Sequence, residues 1–497
     1  MPDSRLVLGA LLVSAGCAVG PDFVRPQAPG EEGYVPGSEP AETVTAEGTA
    51  QRLVAERQIR ADWWRLLSSP ALDAIVDEAF ARNPGVGAAQ ARLRASEDAR
   101  KAGLGVFFPQ IDAQASASRQ QSNPRRIGLS LPSSTYNLFT VSGSVSYSLD
   151  LWGGERRALE GLTAQVEAQR CTVLGTYLIL SSNVVNAAIA QAGYRDQLRD
   201  LTELLQVERE QLSVTEAQAE AGTIPYVNVV SLRAQMASTE ASLPPLRQRI
   251  DETDHLLAVL AGRTPASWQP RAFTLADFTL PAELPLSLPS ALVRQRPDIL
   301  VAEAQLHAAN AQIGVTTAAM LPNITLGVSG GLANPELSQL FSSASTFWGL
   351  TAGLTQPLFH GGTLYYQHRQ SIDQRDEAAE TYRQTVLTAF QQVADILRAL
   401  AHDAEEVEAQ SRAVAAADEA LKLVDTNYQT GIATYVQLLV ANTQVQQARL
   451  AFIQAKAQRL QDTVALLVAL GGGWWNAPES ASASTSRPAA TPPGAPP

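Results

Sequence analysis

Four stretches of the chain alternate between apolar and small polar residues. IDAQASAS (111–118) sets Ile111, Ala113, Ala115 and Ala117 against polar partners. FTVSGSVSYSLD (139–150) sets Phe139, Val141, Val145, Tyr147 and Leu149 against Thr140, Ser142, Ser144, Ser146 and Ser148. Further on, Ile324, Leu326 and Val328 alternate with Asn323, Thr325, Gly327 and Ser329, and Trp348, Leu350, Ala352 and Leu354 with Gly349, Thr351, Gly353 and Thr355. A period of two predicts strands with one apolar and one small polar face. That pattern suits a half-buried sheet over a soluble core. At about ten residues it also suits tilted strands that cross a membrane. In lipid a sheet must close, because an open edge leaves backbone groups unpaired, and four strands fall short of the roughly eight that enclose a lumen. Membrane strands would therefore be shared between copies, eight from two chains or twelve from three, and the pattern does not choose.

The rest of the apolar pattern is helical. Residues 155–221 and 365–430 contain no proline. In the second stretch Phe390, Val393, Leu397, Leu400, Val407, Val414, Leu421, Val424 and Tyr428 fall on a heptad seam, and Leu198, Leu201, Leu205 and Leu212 repeat that spacing in the first. Helices of about 65 residues extend roughly 100 Å, too long for a compact domain. Each ends at a glycine in a near-repeated phrase, AEAGTIPYVNVVSLRAQ (219–235) and YQTGIATYVQLLVANTQ (428–444). Gly222 and Gly431 stand 209 apart (431 − 222), as do Tyr226 and Tyr435. Each phrase reads as the tip of a helical hairpin.

The duplication runs further. NPGVGAAQARLRAS with FFPQI (83–111) matches RPDILVAEAQLHAA with MLPNI (296–324), and LLAVLAG (256–262) matches LLVALGG (466–472). A period near 210 is too long for a solenoid unit and indicates two duplicated halves. The expected organisation is a signal peptide over 1–16, an anchor and extended linker over 17–60, a first repeat over 61–270, and a linker over 271–290. A second repeat over 291–473 and a disordered Pro/Ser/Ala-rich tail over 474–497 complete it.

Composition and termini sharpen this picture. With 37 Lys and Arg against 49 Asp and Glu, the net charge of −12 argues against nucleic-acid binding. No run of 18 or more apolar residues follows the N-terminus, so no transmembrane helix is expected. MPDSRLVLGALLVSAGC carries one basic residue, Arg5, an apolar run and small residues before Cys17, a short export signal. A cysteine directly after the small residues points to lipidation rather than a disulfide, and Cys171 reads as a small buried hydrophobe. The five histidines show no metal-ligand spacing, and no nucleophile–base set or phosphate loop is present. Neither enzyme activity nor a cofactor is expected.

Taken in order, CAVGPDF (17–23), FFPQI (107–111), LDLWGG (149–154), AGTIPY (221–226), RPDILVAEAQLHAANAQIG (296–314), MLPNITLGVSGG (320–331), TQPLFHGG (355–362), YQTGIATY (428–435) and LGGGW (470–474) resemble the TolC-like outer membrane factors, the outer membrane efflux lipoproteins in particular. The resemblance implies a mixed α/β membrane protein, a homotrimer in which four strands per chain make one 12-stranded β-barrel. A long antiparallel α-helical barrel would continue it into the periplasm. The implied function is a passive exit duct of a tripartite efflux pump in the outer membrane of a Gram-negative bacterium. Its implied partners are outer-membrane lipid, a periplasmic adaptor and an inner-membrane pump of the resistance-nodulation-division type. Gly222, Thr223, Pro225, Tyr226, Gly431, Thr434 and Tyr435 then match the adaptor-facing tips, and Cys17 the lipidated, palmitate-carrying residue. Alternatives are the outer-membrane duct of a type I secretion system, or a pore-free periplasmic coiled-coil scaffold.

Two features depart from the family pattern. Ser14 stands three residues before Cys17, where lipoprotein signals place an aliphatic residue. After the second tip, where relatives carry an aspartate and an arginine at the gate, this chain has Val440 and Thr443. The expectation is either a gate in which Val436 and Val440 of each copy restrict the pore by dewetting, or a Val440 that packs in the coiled-coil seam.

Overall fold

The computed structural model describes residues 18–31, 33–37, 42–55, 59–123, 132–269 and 271–476. The signal segment, Cys17 and residues 477–497 of the expected tail lie outside the described residues, whereas its first three, Trp474–Asn476, form a 3-10 turn tied to the Gln295 carbonyl by Trp474 rather than a disordered start. In chain order the main elements are β1 (Arg52–Ala55), α1 (Pro70–Arg82), α2 (Pro84–Leu104), β2 (Gln110–Ser122), β3 (Ser134–Leu149), α3 (Gly154–Glu220) and α4 (Tyr226–Leu260). They continue as β4 (Glu283–Leu286), α5 (Pro289–Leu292), α6 (Pro297–Ala318), β5 (Asn323–Asn334), β6 (Thr346–Thr355), α7 (Thr363–Gln429) and α8 (Tyr435–Ala469).

The duplication is reproduced in the elements. α3 and α7 each have 67 residues, and α4 and α8 each have 35. One difference separates the copies: α4 carries Pro244 and Pro245 in its interior, removing two backbone donors that α8 retains.

The chain divides into two compact units. The first comprises 1–26, 92–170 and 301–383 and holds a four-stranded antiparallel sheet, ordered β2-β3-β5-β6. Its register explains the alternating pattern. Ile111 stands opposite Val145, Val145 opposite Val328, and Val328 opposite Leu350. Directly paired residues point to the same side, so these matched positions pool apolar side chains of all four strands on one face and most of the Ser and Thr on the other, with Leu138 and Phe347 among the exceptions, opposite Ser118 and Gly331. The apolar face is uncovered in the single chain: Ile111 is 77% exposed, Leu350 70% and Trp348 80%. Both edges, β2 and β6, are free of strand partners among the described residues. β2 and β3, with 13 and 16 residues, are longer than the ten expected. Their pairing continues to Ser122 opposite Ser134, through polar residues whose alternation gave no signal.

The second unit comprises 27–91, 171–300 and 384–497. Its core gathers Trp63, Leu67, Leu72, Val76, Val184, Val185, Ile189, Leu257, Ile299 and Leu397, all buried. Trp63, Trp64, Phe80 and Tyr177 continue it as a chain of edge-to-face rings with centroids 5.0–6.0 Å apart. Here β1 and β4 form a parallel pair, Arg52 opposite Glu283 and Ala55 opposite Leu286. Both fall in stretches expected to be linkers. Four-residue strands lie below the length at which alternation can be recognised.

The expectation that no helix is available to cross a membrane needs correction. By length and composition α3 qualifies, because an apolar stretch interrupted by a few polar residues escapes a test for unbroken runs. Within this unit, Val184, Val185, Ala188 and Ile189 of α3 are fully buried, which is also what a bundle-core helix shows.

Candidate functional site

The two glycine phrases build two turns of one design. α3 ends at Glu220, and Gly222 takes φ +71°. Its N–H donates to the Ala219 carbonyl at 3.0 Å, and the Thr223 N–H to the Gln218 carbonyl at 3.0 Å. At the second tip Gly431 takes φ +79°, its N–H donates to the Tyr428 carbonyl at 3.0 Å, and that of Ile432 to the Asn427 carbonyl at 2.8 Å. These paired bonds are the Schellman arrangement, which satisfies the last carbonyls of a helix through one left-handed residue. Glycine stands there because a Cβ is costly at positive φ.

The following helices start differently. α8 opens with a capping box: the Thr434 N–H donates to Gln437 Oε1 at 2.7 Å, and the Gln437 N–H to Thr434 Oγ1 at 3.4 Å. α4 has Pro225 at that position and no side-chain cap.

The tips meet. Leu232 of α4 packs with Tyr435 and Leu438 of α8, flanked by Leu212 of α3 and by Leu421, Val424 and Tyr428 of α7. The duplicated tyrosines part company here. Tyr435 is 7% exposed, edge-on to Tyr428 with ring centroids 5.9 Å apart. Burial, then Tyr428 and Glu208, push its phenol well above the usual range. Tyr226 is 62% exposed, and its hydroxyl accepts from Arg233, which is ion-paired to Glu216 at 2.6 Å. Thr223 and Pro225 are exposed beside it.

The gate candidates occupy one exposed face of α8. Val436 and Val440, one helical turn apart, are 66% and 50% exposed, while the intrachain seam is made by Tyr435, Leu438, Asn442 and Val445. Val440 therefore does not pack in the seam of its own chain. Thr443 is half-buried, and its hydroxyl donates back to the Leu439 carbonyl at 3.0 Å.

Sequence reasoning missed a clamp in the first unit that holds the segment just after Cys17. Val19 N–H donates to the Trp152 carbonyl at 2.8 Å. Arg157, whose side chain is 7% exposed, donates to the Val19 and Gly20 carbonyls and pairs with Asp22 at 2.6 Å and Glu160 at 2.8 Å. Glu160 also meets His307 at 2.8 Å, and the His307 ring stacks on Phe23 with centroids 4.2 Å apart. Asn310 donates to the Pro21 carbonyl at 2.8 Å, and Arg25 pairs with Glu303 at 2.6 Å. Burial opposes ionisation of Glu160, but the hydrogen bonds from Arg157 and His307 outweigh it and hold the carboxyl below the usual carboxylate range. The only sequence signals were CAVGPDF itself and an isolated histidine in a helix. Neither names its partner 135 or more residues away.

A membrane-length sheet with one apolar face, joined in one chain to paired long helical hairpins, defines an outer-membrane channel protein. Comparison with known proteins places it further. The model of the outer membrane efflux protein family matches residues 75–263 and again 288–472. The chain belongs to that family, and it is an outer-membrane efflux component of the Gram-negative cell envelope. It is similar to the pyoverdine export outer membrane protein OpmQ of Pseudomonas putida, 30% identical over 416 residues that cover 83% of this chain and 88% of the relative. It is 29% identical over 469 residues to the probable efflux pump outer membrane protein TtgC of Pseudomonas putida, covering 93% and 94%. Among solved structures, the outer-membrane channel OprN superposes with a TM-score of 0.82 at 26% identity, covering 92% of this chain and all of that one. VceC of Vibrio cholerae does so at 0.76 and 26%, covering 84% and 100%. The family is one of efflux ducts rather than enzymes.

Proposed function

We propose that three copies of this chain assemble into one passive duct, a closed 12-stranded β-barrel in the outer membrane continued by a periplasmic α-helical barrel. The observation that carries this reading is the register of the sheet. It places the matched apolar side chains of all four strands, Ile111, Val145, Val328 and Leu350 among them, on one uncovered face and leaves both edges open among the described residues. A sheet of that kind is stable in lipid only when its edges are paired and its apolar face meets hydrocarbon.

The paired tips around Gly222–Tyr226 and Gly431–Tyr435 are the surface that meets a periplasmic adaptor, which couples the duct to an inner-membrane pump of the resistance-nodulation-division type. Cys17 carries the lipid anchor. The clamp on residues 19–25 supports this, because it holds the chain beside Trp152, just past the end of β3. The duct carries small solutes. Relatives are named for export of pyoverdine, antibiotics and toluene. Within the duct Val436 and Val440 form an apolar constriction that restricts water and ions by dewetting.

Extraction in mild detergent tests the assembly. The protein should run as a heat-modifiable trimer. Single cysteines scanned along β2 against Ala352→Cys on β6 should find one register that cross-links copies to each other. A monomer, or cross-linking in no register, rejects the shared barrel.

A further inference from the structure

A second buried polar cluster lies in the helical unit, away from the tips. Residues 42–51 fold into a short strap. The Thr43 N–H donates to the Gln51 carbonyl at 2.9 Å, Ala46 and Thr49 exchange backbone bonds at 3.0 and 3.2 Å, and the Gln51 N–H donates to Thr43 Oγ1 at 3.0 Å. The strap is seated on α7 and α8. Ala46 packs among Val407, Ala455 and Phe452. Gln51, fully buried, donates to Thr463 Oγ1 at 3.0 Å. Arg459 of α8, only 4% exposed, donates to Gln51 Oε1 and the Thr49 carbonyl, each at 3.2 Å, and Lys456 pairs with Glu47 at 3.0 Å.

Arg459 also stands in the field of a carboxyl that has no ion pair among the described residues. Asp403 of α7 is 9% exposed, and its Oδ2 is buried with no hydrogen-bond partner among the described residues. Asp462 of α8, which accepts from Gln458 at 2.9 Å, and Glu406, one turn along α7, add their charge to its surroundings. Burial and the neighbouring carboxylates both disfavour an ionised Asp403.

We propose that the buried Asp403 carboxyl is a proton-controlled latch for the strap, with Arg459 as the moving part. While Asp403 holds its proton, Arg459 is free to bind Gln51 and Thr49, and the strap clamps α7 to α8. When the proton leaves, the new carboxylate on Asp403 competes for the Arg459 guanidinium, and the strap loses its two charged-donor hydrogen bonds.

The direction with pH follows from the groups around Asp403. Burial, then the hydrogen bond and charge of Asp462, then Glu406, push it up to about 7, against the pull of Arg459. Its unfolded value is 3.8, so the folded state holds the proton more tightly. The contribution to the seated arrangement is full in acid, declines as pH rises from about 4, and is lost above about 7. The remaining charged groups of the cluster are Lys456 with Glu47 across the strap, and Arg459, whose own pKa burial lowers against the pull of Asp403 and Glu47. The latch does not depend on the identity of the transported solute or on the gate.

Hydrogen exchange of the detergent-solubilised full-length protein tests it, read as protection factors so that the intrinsic pH dependence of exchange is divided out. Amides of residues 43–51 should lose roughly tenfold in protection between pH 6 and pH 8, a change of about one pKa unit in linkage. Amides elsewhere in α8 should change less. Asp403→Asn, which keeps the neutral hydrogen-bonding shape, should hold the strap protected at both pH values. Glu406→Gln removes a repelling charge, leaves Asp403 itself intact, and should move the transition to lower pH. Equal protection of the wild-type strap at pH 6 and pH 8 overturns the proposal. So does a pH dependence that survives in Asp403→Asn.

Discussion

Gly431 and Gly331 are constrained for opposite reasons, and substitutions separate them. Gly431 needs φ +79°, and no atom lies within 4 Å of where a Cβ would sit. Gly431→Ala should therefore cost only the left-handed penalty of about 1 kcal/mol and leave the trimer intact. Gly331 lies in β5, where a Cβ would come within 2.2 Å of the Val141 carbonyl oxygen and 2.6 Å of the Ser142 Cα of β3. Backbone cannot yield there without breaking the β3–β5 ladder. Gly331→Leu should abolish the heat-modifiable trimer in unboiled gels, while Gly431→Ala retains it. Equal behaviour of the two variants would contradict this account. The first glycine was legible, since a repeated glycine between two helical phrases announces a turn. The second was not, because its requirement comes from a strand about 190 residues earlier in the chain.

Among the elements, α8 is the most informative. One face makes the seam with α7 and α4 through Tyr435, Leu438 and Val445, and another presents Val436 and Val440 uncovered. Heptad spacing marks a helix and a seam, but a second apolar face on the same helix is invisible to a single-stripe reading. Valines left out of the seam of their own chain are available to a shared lumen. In planar bilayers Val440→Ala should raise single-channel conductance, and Val440→Asp should raise it further, by several-fold, because a charged ring keeps a narrow pore wet. Unchanged conductance in both variants would rule out a dewetting gate. The two tips differ in build, since α4 lacks a counterpart of the Thr434–Gln437 cap and carries Pro244 and Pro245.

For the whole molecule the question is what keeps it in the outer membrane. The sheet supplies one attachment, and a lipid on Cys17 would supply a second, held to the protein by Arg157, His307 and Asn310. A single acyl chain gives only marginal membrane binding, whereas a closed barrel is effectively permanent. Cys17→Ser should therefore lose palmitate labelling yet remain in the outer-membrane fraction as a trimer. Release of the variant into the soluble periplasm would mean that the strands do not anchor the protein.

Local periodicity determined much of this protein before any fold was seen. The two 67-residue helices, the four alternating strands, the duplicated halves and the glycine turns depend on spacing within a few residues or on direct repetition of phrase. Tertiary structure alone decided which apolar side chains share a face, since that depends on strand register across the two halves. It also decided that Tyr226 and Tyr435, equal in sequence, differ in burial, that Arg157 meets Asp22, and that Asp403 is buried in the field of Asp462. Those pairings join residues from 59 to more than 130 positions apart (462 − 403; 157 − 22). Their energetics come from desolvation and close charge contact, which no local pattern of hydrophobic and polar residues encodes.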